Sequence, residues 1–166
     1  GVLSSYLIEI TADIFTQKDP EDTSSYIVDK ILDMAAQKGT GNWTSQTALE
    51  LGVPIPTIAA AVSARLLSMR KEERISASKH LVAHDIPSPI KDKSTFINSV
   101  HDGLYCSKIV SYAQGFDLML AASKKYGWNL DLGKIASIWR GGCIIRAQFL
   151  NEITKAYDED SSLPNL

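Results

Sequence analysis

Cysteine is scarce in this chain. Its 166 residues include two, Cys106 and Cys143, far apart and in no CxxC pair. That usage fits a reducing, cytoplasmic compartment better than a disulfide framework. Excess charge of either sign is missing as well: 17 basic residues face 19 acidic ones, for a net charge of −2. The electrostatic footprint of a nucleic-acid partner or an acidic membrane surface is therefore absent. No apolar run approaches the ~20 residues that cross a bilayer, and no signal-peptide pattern opens the chain. Alternation of apolar and polar residues never persists beyond a few positions, which argues against a sheet. No short repeat, low-complexity tract or internal domain boundary stands out.

Helical periodicity is what remains. Leu3, Leu7, Ile10 and Ile14 predict a first helix over roughly 3–16, with Ser4 or Ser5 as its cap. The stretch QKDPEDTSS is a loop, broken by Pro20. Ser24 or Ser25 then opens a second helix through YIVDKILDMAAQ, with Ile27, Ile31 and Met34 in register. Trp43-Thr44 starts a short helix through Leu51, stopped by Gly52 and Pro54. Thr57 opens a long one to Leu81, and the Pro-rich IPSPIKDKS is a linker. Ser94 begins another long helix to Tyr126, ended by Gly127. DLGKIASIWRGGCII and RAQFLNEITKAYDED complete the series. The expected fold class is all-α, a multi-helix domain with two or more long helices packed by ridges into grooves. The chain starts without methionine and ends in the polar DEDSSLPNL, so both ends are expected to continue into a longer protein.

The loop QKGTGNWTSQ, residues 37–46, carries the chemistry of an anion site. Glycine allows positive φ and close backbone approach to a ligand. Successive N–H groups leading into a helix N-terminus favour negative charge. Lys38 adds a mobile positive charge and Thr40 a hydroxyl donor. The loop is neither a Walker A motif nor a GxGxxG fingerprint: the third glycine's position holds Thr44, and no strand precedes it. A plain glycine-rich turn with a solvated lysine also accounts for the local pattern. Arg65 lies beside the Ile58/Val62/Leu66 stripe, where a partly desolvated guanidinium could bind phosphate or carboxylate bidentately. A snorkelling surface arginine is the competing reading.

Other residues point to structural roles. His80 and His84 have helical metal-ligand spacing, but Pro87 follows closely and no third ligand stands nearby, so no metal is expected. Cys143 reads as a buried packing thiol within a helix. Trp43, Trp128 and Trp139 read as core or interface aromatics, and Lys71-Glu72-Glu73-Arg74 as a solvated helix face. Asn42-Trp43-Thr44 is a glycosylation sequon, idle in a cytoplasmic protein. Gly141-Gly142 inside an apparent helix costs ~1 kcal/mol per glycine relative to alanine, which close helix or subunit approach would offset.

Longer stretches carry more. AAQKGTGNWTSQTALELGVPIPTIAAAVSAR, ERISASK, KIVSYAQGF and IWRGGCIIRAQFL closely resemble 6-phosphogluconate dehydrogenase, collinearly from Leu3 to Tyr157. The resemblance maps to the all-α C-terminal region of that enzyme. It implies conversion of 6-phosphogluconate to ribulose 5-phosphate and CO2 with reduction of NADP, a pentose phosphate pathway reaction that needs no metal. It also implies that Lys38, Thr40 and Arg65 contact the substrate's phosphate. Asn42 departs from the family, where a lysine is frequent, and implies a weaker local positive field.

By the same resemblance, some parts of the family enzyme have no counterpart in these residues. These are the Rossmann-type domain that binds NADP, the helix with catalytic lysine and glutamate around a KxxHN pattern, and the C-terminal segment that reaches the neighbouring subunit of a homodimer. Residues 1–166 are thus expected to be a partial substrate-binding and dimerisation domain, with no catalytic and no cofactor-binding residue in the segment. By itself the segment is not expected to turn over substrate. A noncatalytic helical dimerisation or binding module of the same fold is the alternative.

Overall fold

Leu150, Ile153, Thr154 and Tyr157 recur at i, i+3, i+4 and i+7, and all four are buried along one face of a helix, Phe149–Glu159. Facing it is the short helix Leu132–Ile138, whose Leu132, Gly133 and Ala136 are buried too. Gly133 permits the contact: a Cβ there would lie 3.2 Å from the Tyr157 Cβ. Tyr157 stacks on Phe116 with ring centroids 5.4 Å apart, and Trp139 meets Phe116 edge-on at 5.8 Å. Phe116, at the centre of this aromatic cluster, is fully buried.

The computed structural model describes residues 1–81 and 90–166. In chain order its helices are α1 (Tyr6–Thr16), α2 (Ile27–Lys30), α3 (Thr40–Leu51), α4 (Pro56–Met69), α5 (Lys71–Ser78), α6 (Lys93–Tyr126), α7 (Leu132–Ile138) and α8 (Phe149–Glu159). Among the described residues no strand forms; two isolated bridges pair Ser5 with Ala147 and Lys18 with Tyr26. The protein is all-α. The linker residues 86–89 and His84 lie outside the described residues.

The chain divides into two units. One comprises Gly1–Leu32 with Gly115–Leu166, and the other Asp33–Gln114. The first holds the aromatic cluster. Ser5 caps α1 by accepting from the Ile8 N–H, as its sequence suggests. The α1 stripe, however, stays largely exposed, with no residue of the helix buried. Lys30 pairs with the buried Asp19 and closes the 17–26 loop.

The second unit is built on α3 against α4, with Ala48 and Ile55 buried. Pro56 opens α4, where its missing N–H costs nothing. Ile55 offers no side-chain cap, and Gln114 supplies one from α6. Its Oε1 accepts from the N–H groups of Thr57 (3.0 Å) and Ile58 (3.3 Å), and its Nε2 donates to Thr57 Oγ1. The described helix α6 is 34 residues long, ~50 Å at 1.5 Å per residue.

Four expectations need correction. The second helix does not extend through Gln37: only α2 forms, and residues 32–38 have no regular secondary structure. The backbone of Asp33, Ala35 and Ala36 bonds instead to side chains of α4 and α5, which overrides the helical period. The long helix from Thr57 breaks at Arg70 (φ −88°, ψ 49°), although neither Pro nor Gly stands there. Arg74 Nη2 donates to the Ser68 carbonyl, satisfying a terminal acceptor of α4 from the next helix. Gly141 and Gly142 follow α7 in a turn rather than lying in a helix. Gly142 has φ +63°, and a Cβ on either would meet nothing within 4 Å. Cys143 is half-buried in that turn, not packed in a helix.

Candidate functional site

The sequence places the helix start at Trp43-Thr44, but α3 begins at Thr40. Gly39 makes the difference. Its φ of +102° turns the chain into the helix, and its carbonyl accepts from the Trp43 N–H at 3.0 Å. No side chain caps this end. The first-turn N–H groups of α3 are therefore open to an anion, with the helix dipole behind them.

Beside that end lies a cleft of about 400 Å³, lined by Gln37, Lys38, Thr40 and Gly41 on one wall and Ile58, Ala61, Val62 and Arg65 on the other. The structure brings Lys38, Thr40 and Arg65 to one concavity. The α3–α4 approach is tight at its floor: a Cβ on Gly41 would lie 2.9 Å from Val62 Cγ2. The α4 wall is apolar apart from Arg65, and the loop wall carries the hydrogen-bonding groups.

Arg65 departs from the partly desolvated arginine expected, because it is exposed at the rim. It is nevertheless tethered. Its Nε and Nη2 both donate to the Ala36 carbonyl, at 3.2 and 2.9 Å. Of five guanidinium N–H donors, three remain for a ligand. Gln37 had no role assigned from sequence. It lines the cleft, and its Oε1 is a buried acceptor without a protein donor. Its place next to Lys38 was the only signal available.

Lys71 and Arg74 are not the solvated face expected of them. Both reach Asp33, at 2.5 Å from Lys71 Nζ and 3.2 Å from Arg74 Nη1. Arg74, then Lys71, hold the Asp33 carboxyl down at about 2, from an ordinary 3.8. A depressed folded value means that this carboxylate stabilises the fold above pH ~4 and loses that contribution as the pH falls through ~2. Acid unfolding monitored between pH 4 and 2 is expected to be shallower for Asp33→Asn than for the wild type. Equal slopes would remove Asp33 from the acid response.

Elsewhere, Tyr6, Gly142, Cys143, Ile144 and Arg146 line a shallower cavity of about 270 Å³ in the first unit. Arg146 there is paired with Glu9 at 2.6 Å. Trp139 belongs to the core cluster, whereas Trp43 and Trp128 are exposed. Among the described residues, no helix is long and apolar enough to cross a membrane.

The family model of the 6-phosphogluconate dehydrogenase C-terminal domain matches residues 1–166. The chain belongs to this family. It is 58% identical over 165 residues to the decarboxylating 6-phosphogluconate dehydrogenase of Synechococcus elongatus, covering 99% of this chain and 35% of that one. It is 56% identical over 166 residues to the NADP(+)-dependent, decarboxylating 6-phosphogluconate dehydrogenase of Bacillus subtilis, covering 100% and 35%. Among solved structures, a Plasmodium falciparum 6-phosphogluconate dehydrogenase superposes with a TM-score of 0.91 at 48% identity. That match covers 99% of this chain and 35% of the other. The Plasmodium enzyme is described in apo form, with its cofactor NADP+ and with its substrate 6-phosphogluconate. The chain thus spans about a third of the length of these 6-phosphogluconate dehydrogenases.

Proposed function

We propose that these residues belong to a decarboxylating 6-phosphogluconate dehydrogenase, and that the cleft between α3 and α4 grips the phosphate of 6-phosphogluconate. The observation that carries this reading is the convergence of Lys38, Thr40 and Arg65 on one cleft beside the uncapped start of α3. An ammonium, a hydroxyl, a guanidinium and free backbone N–H groups together suit a dianionic phosphate.

The reaction oxidises C3 of the sugar acid, passes the hydride to NADP+, and releases CO2 to leave ribulose 5-phosphate. The phosphate sits on C6, remote from the bonds that change. The role of this chain is then to hold the unreactive end, so that binding energy orients the reacting carbons. The acid/base groups belong to other parts of the protein. The Gly39/Gly41 turn lacks the setting of a dinucleotide-binding turn. A dinucleotide fold needs a strand feeding a glycine-rich turn, and among the described residues no strand leads into the Gly39/Gly41 turn. NADP is assigned to residues outside these.

A homodimer accords with the apolar side chains exposed on α6, where Phe96, Ile97, Val100 and Leu104 recur along one side. A cytoplasmic location follows from the metabolic role.

Calorimetric titration of the full-length protein tests the phosphate grip. Thr40→Ala is expected to weaken 6-phosphogluconate by ~0.5–1.5 kcal/mol, about 2–13-fold, and to leave unphosphorylated gluconate unaffected. Equal losses for both ligands would reject a contact to the phosphate.

A further inference from the structure

The segment that carries Lys38 has no secondary structure of its own, yet it is fastened at three successive points. The Asp33 carboxylate accepts from Lys71 Nζ (2.5 Å) and Arg74 Nη1 (3.2 Å), and the Asp33 carbonyl accepts from Arg74 Nη2 (2.7 Å). The Ala35 N–H donates to Ser68 Oγ at 3.0 Å. The Ala36 carbonyl accepts twice from Arg65. The anchoring residues are 65, 68, 71 and 74, three apart. Residues 65 and 68 share a face of α4, and residues 71 and 74 share a face of α5. The break at Arg70 separates the pairs, and Arg74 closes it by bonding to the Ser68 carbonyl.

We propose that Ser68 and the Asp33–Lys71–Arg74 cluster are positioning residues for the phosphate grip. The inference rests on the phosphate reading of the cleft. Lys38 is two residues beyond Ala36, and Arg65 is both an anchor of the segment and a wall of the cleft. Fastening the segment therefore sets the position of the lysine relative to the arginine. An irregular segment without these bonds would have to be ordered by the ligand, at the expense of affinity. Ser68 and Asp33 do not line the cleft, so they act through the segment and not on the ligand.

The test uses steady-state kinetics and calorimetry on the full-length enzyme, with Arg65→Ala as the reference. Ser68→Ala and Asp33→Asn are each expected to raise KM and Kd for 6-phosphogluconate roughly fivefold, with kcat changed less than about twofold. Ser68→Thr, which keeps the hydroxyl, is expected to restore the wild-type KM. Gluconate binding should be unchanged in all of them. If Arg65→Ala weakens 6-phosphogluconate while Ser68→Ala and Asp33→Asn do not, the positioning role fails and the phosphate site stands. If Arg65→Ala has no effect either, the phosphate reading itself fails, and this inference with it. Losses shared equally by gluconate, or a Ser68→Thr variant as impaired as Ser68→Ala, would reduce the cluster to a general structural role. Should Ser68→Ala not fold, Asp33→Asn and Ser68→Thr decide the matter by the same readouts.

Discussion

Arg65→Ala in the full-length protein is expected to weaken 6-phosphogluconate by ~1.5–3 kcal/mol, about 10–150-fold, with a smaller loss for Lys38→Ala. The asymmetry follows from geometry. The Arg65 guanidinium is already held by the Ala36 carbonyl through two N–H groups, so little freedom is lost when an anion takes the remaining donors. Its planar fork also matches two phosphate oxygens at once. Lys38 is exposed, and a flexible side chain must be ordered before it contributes. Removing Arg65 additionally leaves Ala36 untied, which loosens the segment bearing Lys38. The double variant should therefore lose less than the two single losses added, because both act on one group. Arg65→Lys should not rescue, since one ammonium cannot hold Ala36 and present a fork to the ligand. Isothermal titration against 6-phosphogluconate and gluconate reads all of this. Unchanged affinity in Arg65→Ala would dispose of the phosphate site.

Gly41→Val should cost ~1–3 kcal/mol of stability and also weaken 6-phosphogluconate. Even the first added carbon would stand 2.9 Å from Val62 Cγ2, closer than side-chain carbons pack. Val62 is β-branched and stiff at χ1 within α4, so it cannot swing aside cheaply. The helices must separate, and the cleft between them changes shape. Valine forms helix better than glycine, so local propensity alone predicts a small gain. A measured loss therefore isolates the tertiary overlap. Val62→Ala should recover part of it, giving a coupling between the two positions in a denaturant-unfolding cycle. Additive effects would show that Gly41 is tolerated for some reason other than room for Val62.

Much of the architecture was legible in local chemistry. The Ser5 cap and Gly127 at the end of α6 follow from capping chemistry, which depends on near neighbours. Gly127 has φ +68°, as a helix-ending glycine should. Ile31 and Met34 misled, because their spacing is helical while the backbone around them is claimed by distant side chains. Arg70 gave no warning of a helix break, since the compensating donor, Arg74, works across it. Gly141-Gly142 looked helical because Ile138 and Ile144 flank it with apolar residues, yet both isoleucines are exposed.

For the candidate site, residue types were readable and their relation was not. The sequence determined by itself that the fold is helical, that Lys38, Gly39 and Thr40 form a polar stretch leading into a helix, and that an arginine follows within the next long helix. These are matters of side-chain chemistry and local backbone preference. Only the tertiary structure decided that Arg65 folds back onto Ala36, that Asp33, Lys71 and Arg74 form one cluster, and that Gly41 must stay small against Val62. Those contacts join residues 21 to 41 positions apart, and their strength depends on distances that no local pattern encodes.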